Sequence, residues 1–198
     1  MNASPGPGRP RSEAARQAIL AAALELAQQD GYQAVTIKGI AERAGVGRQT
    51  VYRWWQTKAE VLLEAVTEFV AAQAQPEPSG DALADVREFL RATFAQSQPL
   101  GPVIAGLMAD AIADPGFSAR VRDRLLTRRR AALRGLLEAG QASGQLPADY
   151  PVDLAIDLVF GVLSYRILSG DATGDAALAD EIAGALRRLG SREQAGPG

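Results

Sequence analysis

The chain has 198 residues, 47% of them hydrophobic and 22% charged, with a formal net charge of −2. That composition suits a soluble globular protein with room for a sizeable core. Cysteine and histidine are both absent, which excludes disulfides, thiolate metal sites and imidazole acid–base chemistry or pH switching.

Residues 1–11 are polar and rich in Pro and Gly, with Arg9 and Arg11, and read as a disordered basic arm. They lack the apolar stretch of a secretory leader. Ser12-Glu13 opens a first helix whose apolar stripe is Ile19, Ala23, Leu24, Leu26 and Ala27, and Asp30-Gly31 stops it. Thr36 caps a short helix to about Ala44, Gly45 turns the chain, and a second short helix covers about Gly47–Trp55. Thr57-x-x-Glu60 reads as a capping box opening a helix to about Gln75, and Pro76, Pro78, Ser79 and Gly80 break it. Helices then follow at about 81–97 and 103–113, a long one from a Ser118 cap to about Ala142, and two last ones at about 152–169 and 175–189. The fold class is all-α. The longest apolar run, Leu154–Leu168, is broken by Asp157 and Arg166 and falls short of the roughly 18 residues of a membrane helix. A cytoplasmic protein without a membrane partner is expected.

Charge is uneven. Residues 1–60 hold eight Lys/Arg against five Asp/Glu, whereas the rest holds 13 against 18. A basic head on an acidic body suits a polyanion gripped at one end. Seven arginines between Arg120 and Arg134 spread around their helix and read as a solvated face paired with acids.

Within the head, Ala41-x3-Gly45-x5-Val51 has the spacing of a helix-turn-helix. Ala41 lets two helices nearly touch, Gly45 supplies a turn, and Val51 returns an apolar side chain to the core. The second helix then carries Arg48, Gln49, Thr50, Tyr52 and Arg53. Arg48 suits guanine, Gln49 adenine, and Thr50 a thymine methyl or a phosphate. Tyr52, Arg53 and Lys58 suit phosphates, as do the helix starts at Thr36 and Thr57. Lys38 belongs to the same DNA-contacting set. Trp55 is read as a core clamp onto the next helix.

The segment Thr36–Leu63, with Thr-Ile-Lys opening it, Ala-Gly-Val at the turn, Thr-Val-Tyr in the recognition helix and Trp54-Trp55 before Thr57-Lys58, resembles the signature of the TetR family of transcriptional regulators. The resemblance covers about residues 12–65. Many members carry His-Phe where this chain has Trp54-Trp55, so a histidine–phosphate contact is impossible here. The resemblance implies an N-terminal three-helix DNA-binding domain and a larger C-terminal helical domain for ligand binding and dimerisation, about nine helices in all. It also implies that Thr36, Tyr52 and Lys58 hold phosphates while Arg48, Gln49 and Thr50 face bases. The corresponding boundaries are a basic arm at 1–11, DNA-binding domain 12–56, connecting helix and linker 57–80, effector and dimerisation domain 81–190, and a disordered tail 191–198.

In the second half, Phe89, Phe94, Ile104, Leu107, Met108, Phe117, Phe160 and Tyr165 are candidates to line a pocket for an apolar small-molecule effector, each also readable as plain core. Gly161 and Ser164, with Leu178, Ile182, Ala185 and Leu189, are candidates for a homodimer seam built as a four-helix bundle, or for a seam within one subunit. The expected function is a ligand-responsive repressor released from a palindromic operator on double-stranded DNA. No catalytic residue, metal or cofactor is expected. Alternatives are an activator of the same fold, an adaptor that binds only protein, and a histidine-free enzyme using carboxylates such as Asp110 or Asp157.

Overall fold

The computed structural model describes residues 8–73, 79–171 and 174–190, with side chains from residue 12 onward. Helix α1 spans Gly8–Asp30, α2 Ile37–Arg43, α3 Arg48–Tyr52, α4 Lys58–Ala71 and α5 Ala82–Ser97. Helix α6 spans Gly101–Ala113, α7 Pro115–Val121, α8 Arg128–Ala142, α9 Val152–Ser169 and α10 Ala176–Leu189. No strand occurs among the described residues, and none of their helices is long and apolar enough to cross a membrane.

Several boundaries differ from the sequence reading, α3 ending at Tyr52 and α4 at Ala71 among them. Helix α1 begins at Gly8, so the last part of the expected disordered arm is helical; residues 1–7 and the tail from 191 lie outside the described residues. The long helix starts at Pro115 rather than at Ser118. Asp114 is its cap, its Oδ1 accepting from the Gly116 and Phe117 amides at 2.8 and 3.1 Å, and proline is tolerated because a first-turn N–H has no helical partner. The expected long helix is also not regular throughout: Arg122–Thr127 is π-helical.

The chain divides into two compact units. The first holds the residues up to Ala71 together with Pro102–Val121, and the second holds Ala72–Gly101 with the residues from Arg122 on. In the first, α1 packs against α2 and α4. Ile19, Ala23, Ile40, Val51, Leu62, Leu63 and Val66 are its fully buried centre, with Leu107 and Phe117 from α6 and α7 also buried. The close approach of α6 to the head depends on Gly106. A Cβ there would lie 2.2 Å from Cγ of the Tyr32 ring. Tyr32 is itself buried and donates its hydroxyl to Asp110; burial, aided by that carboxylate, holds its pKa above the ordinary tyrosine value. Gly106→Ala is therefore expected to destabilise the protein by roughly 1–3 kcal/mol, the cost of overpacking a filled site. Urea denaturation measures it, and an unchanged midpoint would show that the ring yields freely.

In the second unit, α5 packs against α8 and α10, and α9 against both α8 and α10. Asp81 caps α5 and Asp175 caps α10 through side-chain acceptors. The core is Val86, Leu90, Phe94, Leu133, Leu137, Ile156, Val159 and Leu186. Arg91 on α5 reaches both oxygens of Asp180 on α10 at 2.9 Å. From α8, Arg130 pairs with Asp157 and Arg134 with Asp153 on α9. Paired arginines of this kind are what the sequence led us to expect of that helix. Arg129 is an exception, because its hydrogen bonds go to the neutral side chains of Gln96 and Thr93.

Candidate nucleic-acid interface

The helix-turn-helix is assembled by local rules. The Thr36 hydroxyl accepts from the Gly39 amide at 3.0 Å, capping α2. Ala41 is 1% exposed and Val51 fully buried, as the close crossing of α2 and α3 requires. Gly45 sits at φ 67°, a conformation costly for residues with a Cβ. The turn closes with the Val46 amide donating to the Ala41 carbonyl at 3.0 Å. Thr57 accepts from the Glu60 amide at 3.2 Å, while the Glu60 carboxylate reaches back to the Gln56 amide at 2.7 Å. This is the expected capping box, with the return bond one residue early.

With Val51 turned inward, the other side of α3 faces solvent. Arg48, Gln49, Tyr52 and Arg53 are exposed and Thr50 is half-buried, and Thr36 and Lys38 at the start of α2 are exposed as well. Arg48 pairs with no acid among the described residues. Lys38 lies 3.8 Å from Glu42, an exposed pair along one helix face that is worth little in water. The Arg53 guanidinium stands 5.3 Å from the Trp54 ring centre. A short helix thus presents guanidinium, amide and phenol groups outward on a rigid apolar base.

Lys58 is placed differently from its neighbours. Its ammonium donates to the carbonyls of Tyr32 and Gln33 at 2.9 and 3.1 Å and lies 4.8 Å from the Tyr32 ring centre. Two of its three N–H groups are thereby engaged. Nothing in the sequence marks Tyr32 as the residue that Lys58, Gly106 and Asp110 all meet, because those partners are far from it along the chain.

The motif is anchored from behind. Trp55 is 4% exposed, and its indole N–H donates to Glu64 Oε2 at 2.9 Å. Glu64 also takes Arg16 Nε of α1 at 3.0 Å, and Arg16 reaches Glu13 and Glu68 as well. Burial opposes the Arg16 charge, but the carboxylates of Glu68, Glu64 and Glu13 outweigh it and hold the pKa above the ordinary value.

The remaining sequence candidates are divided between the two units. Ile104, Leu107, Met108 and Phe117 lie in the first, and Phe89, Phe94, Phe160 and Tyr165 in the second, so neither unit gathers the whole set. Phe89, Phe94, Leu107, Phe117 and Phe160 are buried, whereas Tyr165 is 69% exposed on α9. Gly161 and Ala185 are exposed, and Ser164, Leu178, Ile182 and Leu189 are half-buried. Exposed Leu154, Leu158, Val162 and Leu168 extend the same outer face of α9. Their spacing of three and four was present in the sequence, but it was hidden because the inner side of α9 is equally apolar. Asp110 and Asp157 are occupied by Tyr32 and Arg130.

Two short helices packed through Ala41 and Val51 around a Gly45 turn, with an exposed face carrying Arg48 and Arg53, define a helix-turn-helix regulator. Residues 19–65 match the model for bacterial regulatory proteins of the tetR family, and residues 76–186 match that for the Tetracyclin repressor-like C-terminal domain. The chain belongs to the TetR family. It is 33% identical over 183 residues to the HTH-type transcriptional regulator YdeS of Bacillus subtilis (strain 168), spanning 91% of this chain and 92% of that one. A segment of 51 residues is 43% identical to the HTH-type transcriptional repressor KstR of Rhodococcus jostii, covering 26% of this chain and 24% of the repressor. The crystal structure of the TetR family transcription regulator SCO0332 superposes with a TM-score of 0.69 at 27% identity, covering 88% of this chain and 97% of that one. The protein is a transcriptional regulator, not an enzyme.

Proposed function

We propose that the protein is a dimeric repressor that binds a palindromic operator and is released from it by a small molecule. The observation that carries the DNA-reading part is the outer face of α3, where Arg48 and Gln49 stand exposed on a base fixed by Val51 and Ala41. Arg48, Gln49 and Thr50 read base edges in the major groove, and Thr36, Lys38, Tyr52, Arg53 and the remaining N–H of Lys58 hold phosphates. Residues 12–56 serve as the reading head and 81–190 as the sensing and pairing part.

Pairing rests on the outer face of α9. Leu154, Leu158, Val162, Tyr165 and Leu168 form an apolar stripe along it, with Gly161 leaving open space for a neighbour. A second copy laid against this stripe and the exposed side of α10 makes a four-helix seam. Two-fold symmetry then sets two α3 helices one DNA turn apart, which makes the operator a palindrome. A ligand that binds better to the subunit arrangement misfitting the DNA shifts the population away from it.

The test is binding to a palindromic fragment across salt concentrations. Arg48→Ala is expected to cost about 1–3 kcal/mol and to relax sequence preference at one position per half-site. Lys38→Ala is expected to weaken all sequences alike and to flatten the salt dependence by about one unit of slope. If Arg48→Ala leaves affinity and preference unchanged, α3 does not read bases.

A further inference from the structure

Arg129 on α8 has an unusual setting. Its Nη1 and Nη2 both donate to Gln96 Oε1 at 2.7 Å, and Nη2 also donates to Thr93 Oγ1 at 3.1 Å. Both acceptors are neutral side chains of α5, and Thr93 is 1% exposed. The guanidinium carbon lies 5.7 Å from the centre of the buried Phe89 ring. The Nε atom is buried and has no hydrogen-bond partner. Arg129 pairs with no acid among the described residues, whereas its neighbours Arg130 and Arg134 do. Burial alone holds its pKa below the ordinary arginine value.

A guanidinium stays charged inside a protein. Arg129 is half-buried, and a charge partly withdrawn from water without a counter-charge, with a buried N–H left open, is costly. Shape alone does not require it, since an uncharged chain of similar length would fill the same space. Arg129 also stands two residues beyond the π-helical stretch Arg122–Thr127, where the Thr127 hydroxyl bonds the Arg122 carbonyl five residues back. A π-turn inserts a residue into the helix register and re-aims the side chains beyond it, and such turns concentrate at functional sites.

We infer that Arg129 is the anchor for the effector of this regulator, and that the effector is an amphipathic organic oxyanion, a carboxylate or phosphate on an apolar body. The oxyanion takes the Nε/Nη2 edge of the guanidinium, displacing the longest of its three bonds, the one to Thr93. It supplies both the missing acceptor and the missing charge in the bidentate geometry that arginine favours. The apolar body is matched to the buried Phe89 ring of α5 beside the cation. This inference rests on the ligand-responsive reading of the protein.

The experiment uses the full-length protein and three probes of equal chain length below their micelle concentrations: dodecanoate, dodecyl phosphate and neutral dodecanol. Calorimetry reads their binding, and operator binding is measured on the same samples. At least one of the two oxyanions is expected to bind at least tenfold more tightly than dodecanol. Arg129→Gln is expected to remove that advantage, and Arg129→Lys to restore part of it, both variants keeping the wild-type helical circular dichroism and operator affinity. Equal binding of oxyanion and alcohol, no binding of any probe, or undiminished binding by a folded Arg129→Gln overturns the anchor. Oxyanion binding that depends on Arg129 but leaves operator affinity untouched keeps the anchor and overturns release. Oxyanion binding is expected to weaken operator binding by the wild type, and a ligand-free wild type that binds no operator overturns the regulator reading alone.

Discussion

Trp55→Ala is expected to cost about 3–5 kcal/mol of folding stability, the range for deleting a large buried aromatic side chain, and to abolish operator binding at 37 °C. Trp55 is 4% exposed, and Trp54 packs edge-on against it with ring centres 5.4 Å apart. The loss has two sources. The cavity is the larger. The second is Glu64, which would keep Arg16 but lose the indole N–H at 2.9 Å. Trp55→Phe keeps an aromatic ring with a much smaller cavity and removes the donor, and about 1–2 kcal/mol is expected. Urea denaturation followed by circular dichroism gives both values. A cost below about 1 kcal/mol for the alanine variant, with DNA binding intact, would mean that α3 is not held from behind by this side chain.

The second large effect is expected from the outer face of α9. Leu158→Glu with Val162→Glu places two charges on a stripe that is solvent-exposed in the single subunit, so each subunit should fold as before. If the stripe is the pairing face, sedimentation equilibrium should show monomers where the wild type shows dimers. Operator affinity should then fall by a factor on the order of 10²–10⁴, because the second head no longer engages at the high effective concentration that linkage provides. Binding to an isolated half-site should change little. A double variant that remains dimeric places the subunit contact elsewhere.

The two effects differ in how readable they were. Trp55 as a clamp follows from its place between a recognition helix and a capped helix, and both neighbours were recognisable from short-range patterns. The outer stripe of α9 was not readable in the same way. Ala155, Ile156, Val159, Leu163 and Ile167 are buried while Leu154, Leu158, Val162 and Leu168 are exposed. A helix apolar on both sides has no periodicity that distinguishes its two faces. Gly161 and Ser164 were legible as small residues on it, but which apolar residues flank them outward was not.

The sequence by itself determined what depends on neighbours along the chain. The all-helical class, the caps at Thr36 and Thr57, the turn at Gly45, and the Ala41–Gly45–Val51 spacing all act over a few residues, where steric and capping rules are nearly independent of context. The exposed set on α3 follows from that spacing, because burying Val51 turns Arg48, Gln49 and Tyr52 outward. Tertiary structure alone decided what depends on residues meeting from afar. It grouped Pro102–Val121 with the head through Gly106 and Tyr32 and occupied Lys58 with two carbonyls of the Tyr32 turn. It also separated one arginine of seven. Arg129 has the same local sequence character as Arg130 and Arg134, and only the packing of α8 on α5 sets its guanidinium against Gln96 and Thr93, away from any acid among the described residues.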